Sequence, residues 1–337
     1  MKKNSKIKMP IDAVIAVTYR CNSRCVMCNI WQIKDFPEVG PDLYLKLPAS
    51  LQDVNISGGE PFLRRDLVEI IHNVKKACPR ANINISTNGF LVDTIKRVLP
   101  KIKRVYPQIA ISISVDGIGQ MHEDVRRVPE AWNKVVETIQ FCSELLGKKK
   151  VKVAFTLNDL NYKQLNEAYI WSKKLGIEFT MAVAHSSEMF FSKENVIDVD
   201  PGFLEEEFKK VIKKLLKSIN PKDWARAYFV DGLLKIAKGK KRPLESYAGE
   251  DFFYLDPKAD IYPSVVDNLI MGNLEKANFK DVWFSAEANK ARADVQGFEN
   301  NYWMVCTARS AIKRNPLKVA NWIFQNKLPL DWWRKNN

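Results

Sequence analysis

Residues 13–31 read Ala13-Val-Ile-Ala-Val-Thr-Tyr-Arg-Cys21-Asn-Ser-Arg-Cys25-Val-Met-Cys28-Asn-Ile-Trp31, a β-branched run passing directly into a loop with three cysteines. Ala13–Val17 predicts a short strand. Similar runs recur at Val54–Ser57, Ile83–Ser86, Ile109–Val115, Val151–Leu157 and Ile177–Val183. Helical patterns lie between them, at Asp66–Ala77, Val92–Val98, Pro129–Leu146 and Tyr162–Leu175. In Trp132–Leu146, Val135, Val136, Ile139 and Leu146 follow the three-to-four spacing of one buried helix face. The first crossover, Pro41–Leu47, carries the weakest helical pattern. Strands alternating with helices imply parallel βαβ units. A closed barrel of this type needs eight strands, so six predict an α/β fold, a partial (β/α)6 barrel with parallel strands.

From about Phe190 the alternation stops. Pro201–Ser218 reads as an amphipathic helix, with Pro201 in its first turn and Phe203, Leu204, Phe208, Val211 and Leu215 on one face. Trp224–Lys238 suggests another. Phe252–Leu274 reads as a hairpin region, followed by a helix near Phe279–Ala293 and a tryptophan-bearing basic tail, Pro316–Asn337. The expected division is a barrel over 1–190, a helical connector over 191–250 and a mixed C-terminal extension over 251–337.

The composition is that of an ordinary protein with a core: 337 residues, 46% hydrophobic and 27% charged. It excludes a disordered chain, a fibrous repeat and a disulfide miniprotein. The longest apolar runs are too short to span a bilayer, and Met1–Pro10 lacks the apolar stretch of a signal peptide. A cytoplasmic location is expected. The net charge of +14 favours acidic partners. Much of it falls in runs such as Lys148–Lys150 and Lys238–Arg242, which read as solvated surface. Nucleic acid and an anionic membrane surface are therefore the lesser candidates as partners.

The unusual polar residues all fall at the carboxyl ends of predicted strands. The cysteine loop follows the first strand and Ser57-Gly58-Gly59-Glu60-Pro61 the second. Thr87-Asn88-Gly89, Asp116-Gly117, Asn158-Asp159 and His185-Ser186-Ser187 follow the others. In parallel barrels the βα loops converge at that end, which is the functional face. Taken alone, Gly58-Gly59, Asn88-Gly89 and Asp116-Gly117 are turn signals. The spacing C-x3-C-x2-C puts Cys21, Cys25 and Cys28 on one loop. In a reducing compartment such a group reads as a metal site. Three thiolates fit an iron–sulfur cluster with one iron left open. Zinc is the competing reading and would need His72, His122 or His185 as a fourth ligand. Cys78 and Cys142 lie in helical patterns and read as packed thiols.

With its C-x3-C-x-Met27-C loop and Gly58-Gly59-Glu60 after the second strand, the chain resembles the radical S-adenosylmethionine (radical SAM) enzymes over Ile11–Ser187. The resemblance implies that Cys21, Cys25 and Cys28 bind three irons of a [4Fe–4S] cluster, while SAM chelates the fourth through its amine and carboxylate. It also implies that Gly58, Gly59 and Glu60 meet the SAM ammonium. Ser114 and Asp116 would lie on the ribose side, Asn88 and Arg126 in the SAM-facing shell, and the adenine near Met27 and Val183. The implied reaction is reductive cleavage of SAM to a 5′-deoxyadenosyl radical, which takes hydrogen from a substrate. The implied partners are that substrate and an electron donor such as flavodoxin or ferredoxin.

Phe252–Arg309 resembles the auxiliary SPASM or Twitch domain that follows many of these barrels, in Ala259-Asp260-Ile261-Tyr262-Pro263, Met271-Gly272-Asn273-Leu274 and Asp281-Val282-Trp283. Ser264 stands where that pattern has a cysteine, and only Cys306 remains, so this region is expected to lack its metal cluster. Trp322, Ile323 and Phe324, with Lys318, Lys327, Arg334 and Lys335, suit either an anionic interface or a terminal helix docked on the barrel. The functional expectation is a radical SAM enzyme acting on a small molecule, sugar or lipid in preference to a peptide. A non-catalytic zinc or iron–sulfur binding or regulatory protein is the alternative.

Overall fold

The architecture comes from a computed structural model that describes residues 7–33, 36–187 and 194–327. Six strands, β1 (Asp12–Ala16), β2 (Asp53–Ser57), β3 (Asn82–Thr87), β4 (Ala110–Ser114), β5 (Val151–Leu157) and β6 (Glu178–Val183), lie side by side in chain order and parallel. The sheet does not close. β7 (Phe252–Leu255) pairs parallel with the other side of β1, and β8 (Asp260–Tyr262) and β9 (Gly272–Asn273) follow antiparallel. The expected hairpin region therefore continues the barrel sheet to nine strands.

The strands alternate. One face presents Ile56, Ile85, Ile111, Ile113 and Val153, all buried in the main core, each worth roughly 1.5–3 kcal/mol relative to exposure. Across β2 to β4 the other face, inside the partial barrel, is polar. Asn84 Nδ2 and Ser86 Oγ donate to Asn55 Oδ1 at 2.7 and 2.9 Å, and Ser112 Oγ donates to Asn84 Oδ1 at 3.1 Å. Parallel sheets covered on both faces read as continuous apolar runs; this alternation marks an interior that is not a dry core.

The crossovers depart from expectation where local signals were short or misleading. Pro41–Lys46 is a 3-10 turn, not an α-helix. The second helix runs past Val98 and through Pro100 to Val105, because Ile95, Leu99 and Ile102 keep one buried face. Gln120–Arg126 is a helix too short to show periodicity. The helix expected near 279–293 is two, Phe279–Trp283 and Ala286–Glu299, divided at Ser285, whose side chain caps the second by accepting from Ala288 N. Helices Pro201–Lys217 and Pro221–Ala237 follow the barrel.

C-terminal elements reach back over the polar face. Helix Val305–Arg314 sends Arg309 to Asp12 and Asp53, at 3.1 Å from each. Burial pushes the Asp12 carboxyl up to about 7, and Arg309 acts against that. Tyr302 Oη donates to Ser186 O at 3.0 Å. Of the tail, helix Pro316–Lys327 is described and carries Trp322 packed edge-on to Tyr228; Arg334 and Lys335 lie outside the described residues. Among the described residues no helix is long and apolar enough to cross a membrane.

Because β7 protects the edge of β1, a chain ending at residue 250 is expected to expose an unpaired strand and aggregate. Size-exclusion chromatography and thermal unfolding test this. A soluble 1–250 fragment with a cooperative melt would show that β7 is dispensable to the barrel.

Candidate metal centre

The cysteine loop leaves β1 and is fixed to its surroundings by main-chain bonds. Val17 N donates to Ser57 O (3.0 Å), Gly59 N to Thr18 O (2.8 Å) and Glu60 N to Arg20 O (2.9 Å). A Cβ at Gly58 would stand 2.1 Å from Thr18 O, and one at Gly59 2.2 Å from Arg20 O. Gly58 also has φ of +128°. Both glycines therefore serve first to let the cysteine loop lie against this turn, before any ligand approaches. On its far side the loop bonds the helix Gln120–Arg126: Arg24 N donates to Arg126 O (3.2 Å) and Val26 N to Val125 O (2.9 Å). Arg64, buried, donates to Val17 O (2.8 Å) and Val39 O (3.0 Å) and pairs with Asp66, bracing the strand end.

Each predicted site residue can now be placed. Cys25 is buried, and Cys21 and Cys28 are half-buried. Burial pushes the Cys21 and Cys28 thiols up to about 12; neighbouring thiols add to the rise and Arg126 opposes it. Glu60 is fully buried. Its carboxylate accepts from Phe62 N, Thr87 Oγ1 and Asn88 N at 2.8–3.1 Å, tying the β2 turn to the β3 turn. Burial pushes Glu60 up to about 7 against the pull of those bonds. A carboxylate has about four acceptor sites, so one remains for an ammonium.

Asn88 Nδ2 donates to Asn22 Oδ1 (2.7 Å) and lies 4.0 Å from Cys21 Sγ. Ser114 ends β4, half-buried and in phase with Ser112 on the polar face. Asp116 is fully buried. It accepts from Thr156 N (2.7 Å) and pairs with Arg126 Nη2 (2.5 Å). Arg126 Nη1 points at Cys25 Sγ, 3.5 Å away, and its buried Nε has no partner among the described residues. Met27 packs with Val125 and Ala184 beside the end of β6.

Sequence reasoning missed three residues here. Ser23 Oγ is hydrogen-bonded to Cys25 Sγ (3.0 Å) and donates to Arg126 O (3.1 Å). Asn22 holds Asn88. Asn195 Nδ2 donates to Met27 O (3.1 Å) and His185 O (2.9 Å), joining the loop to the β6 end. Ser23 and Asn22 were at least inside the motif, whereas nothing in the pattern marks Asn195. The histidines do not complete a zinc set. His72 is exposed on its helix. His122 lies between Phe90 and Trp132, accepts Asp116 N at Nδ1 (3.0 Å), and is pushed down to about 3 by burial. His185 stands edge-on to Tyr302, pushed down to about 4 by burial. Among the described residues no three His, Cys, Asp or Glu side chains converge on one ion.

A family model, the Radical SAM superfamily, matches residues 15–171. Residues 15–171 thus form a radical SAM domain. This radical SAM protein is 26% identical over 239 residues to the probable GTP 3',8-cyclase of Methanococcus vannielii, covering 65% of this chain and 72% of that one. It is 32% identical over 170 residues to the Fe-coproporphyrin III synthase of Methanosarcina barkeri, covering 48% and 40%. In fold it resembles Streptococcus suis SuiB, solved with S-adenosylmethionine: TM-score 0.62 at 15% identity, covering 86% of this chain and 68% of that one. The radical SAM chain is thus an enzyme that uses a [4Fe–4S] cluster and SAM.

Its residues fit that pair. Cys21, Cys25 and Cys28 lie on one loop, near enough for each thiol to raise its neighbours, and three thiolates are the donor set of a cluster with one iron left open. Glu60 keeps an acceptor site, and the orphaned Arg126 Nε is a donor suited to a carboxylate. Ser264, at the position where the auxiliary pattern has cysteine, donates to buried Glu299 (2.5 Å); Ser246 (2.9 Å) and Arg242 (2.6 Å) bond the same carboxylate.

Gly59→Ala is expected to push the loop off its turn, costing roughly 1–3 kcal/mol as overpacking does. The melting temperature should fall, and iron after anaerobic reconstitution should drop well below the about four per chain of a filled cluster. Iron analysis showing a full complement would mean that the loop can rebuild without this contact.

Proposed function

We propose that this radical SAM enzyme acts on a small polar molecule held inside the partial barrel, with Cys21, Cys25 and Cys28 as the cluster ligands. The observation that supports it is the polar face. Asn55 Oδ1 accepts from both Asn84 and Ser86, which turns its Nδ2 away from the ladder. Among the described residues nothing takes up those two donors. A lipid chain would leave such groups unpaired, and a buried unpaired polar group costs about 1–3 kcal/mol. The M. vannielii relative is named for GTP and the M. barkeri relative for an iron porphyrin, so relatives at this distance differ in substrate and none transfers here.

When bound, the cluster and SAM supply one-electron cleavage of the sulfonium to methionine and a 5′-deoxyadenosyl radical that abstracts a substrate hydrogen. The chain's own residues hold and seclude. The Gly58–Glu60 turn fixes the cysteine loop, and Glu60 and Arg126 Nε offer an acceptor and a donor to the amino-acid end of SAM. Asn195 and Tyr302 draw the C-terminal segments onto the mouth, which restricts water. The Ser264–Glu299–Arg242 network supports an auxiliary region without metal. A low-potential donor such as flavodoxin or ferredoxin is the proposed electron source, and the cytoplasm the proposed location.

The test is 5′-deoxyadenosine formation by anaerobically reconstituted protein with SAM and dithionite. Wild type is expected to form it and a Cys21/Cys25/Cys28→Ala triple variant to form none. Protein that binds zinc and ignores SAM would return the chain to the binding-protein reading. For the substrate class, cell extract is partitioned between water and chloroform. Stimulation of turnover should follow the aqueous phase, and stimulation from the organic phase alone would defeat the polar reading.

A further inference from the structure

The three cluster cysteines are not equivalent. Cys21 and Cys28 each take a main-chain donor, from Ser23 and Ile30, and Cys21 also faces the uncharged Asn88 amide at 4.0 Å. Cys25 faces a charged donor, the Arg126 guanidinium at 3.5 Å, and the Ser23 hydroxyl lies 3.0 Å from the same sulfur, able to turn its one proton from Arg126 O to a thiolate. Both belong to one rigid unit. Ser23 is also tied to Arg126 O, and two main-chain bonds run from Arg24 and Val26 to the end of the same helix. Arg126 itself is held from behind by Asp116, at 2.5 Å, and Asp116 is fixed by Thr156 N. The ion pair is thereby oriented, its positive end against Cys25 and its negative end away. Both partners are buried, so solvent screens this field little.

Hydrogen bonds to sulfur and nearby charge set the potential of an iron–sulfur cluster, because they stabilise the form carrying the extra electron. We propose that Ser23 and Arg126 are positioning residues that raise the reduction potential of the cluster through Cys25, with Asp116 moderating the guanidinium charge. This rests on the cluster assignment above but not on the substrate reading. The pair favours acceptance of one electron from an external low-potential donor; it breaks and forms no bond itself.

The experiment is an EPR-monitored redox titration of the reconstituted, SAM-free holoenzyme, normalised to iron content. In Arg126→Gln the ratio of reduced to oxidised cluster at fixed potential should fall about tenfold, a shift of about 59 mV downward for a one-electron couple. Ser23→Ala should shift the same way by less. Arg126→Lys, which keeps the charge, should recover most of the wild-type potential. Asp116→Asn should shift the potential upward. This reversed sign is what a merely structural role would not produce, since general damage to the site moves every variant alike. An unchanged potential in both Arg126→Gln and Ser23→Ala, with the cluster fully assembled, overturns the proposal. Failure of wild type to assemble any cluster strikes instead at the metal assignment.

Discussion

The site depends on a close contact between two stretches of backbone. Thr18 and Arg20 place their carbonyls where Gly59 and Glu60 donate, and the separation is so small that no side chain fits at either glycine. Everything else about the cysteine loop follows from this. The loop is carried by β1 and β2 as adjacent parallel strands, and once docked it offers its other edge to the helix Gln120–Arg126. The thiols are then held by a frame of main-chain bonds rather than by one another. That suits residues that are protonated when empty and anionic when loaded.

The sheet supplies the second constraint. Its outer face is an aliphatic surface packed on helices, and its inner face is built from asparagine and serine across β2 to β4. The polar face carries a cost in hydrophobic burial, and the nine-stranded sheet recovers part of that where β7 brings Phe252 and Tyr254 beside Ala16 and Tyr19. Arg309 then fastens the C-terminal helix Val305–Arg314 to the amino ends of β1 and β2, and Tyr302 ties its segment to Ser186 beyond the carboxyl end of β6. Stability and enclosure are thus properties of the same elements.

Much of this was legible in the sequence. All six barrel strands lie within a residue of where their β-branched runs placed them, and the cysteines, the glycines, Glu60, Asn88, Asp116 and Arg126 gather at one end, as the strand ends required. What could not be read was pairing at long range. The parallel bond between β7 and β1 leaves no local pattern, and Gln120–Arg126 is too brief to show a period. The side-chain partners were also hidden. Asp116 and Arg126 meet each other across ten residues and a tight turn, so each was assigned to a ligand separately. The glycines were read for what a ligand needs, whereas their nearest neighbours are the carbonyls of the loop itself.

The pairing of the first strand with the seventh also has a consequence in time. Tyr19 meets Tyr254 across 235 residues of chain. At about 5–20 residues per second of synthesis, the cysteine loop waits roughly 12–47 s before that wall of its enclosure exists. During this interval the thiols stand in an incomplete sheet whose most distant contacts are the slowest to form. The wall beside the cysteine loop is therefore completed only once residue 254 has been made, and until then the thiols depend on reducing surroundings to stay intact.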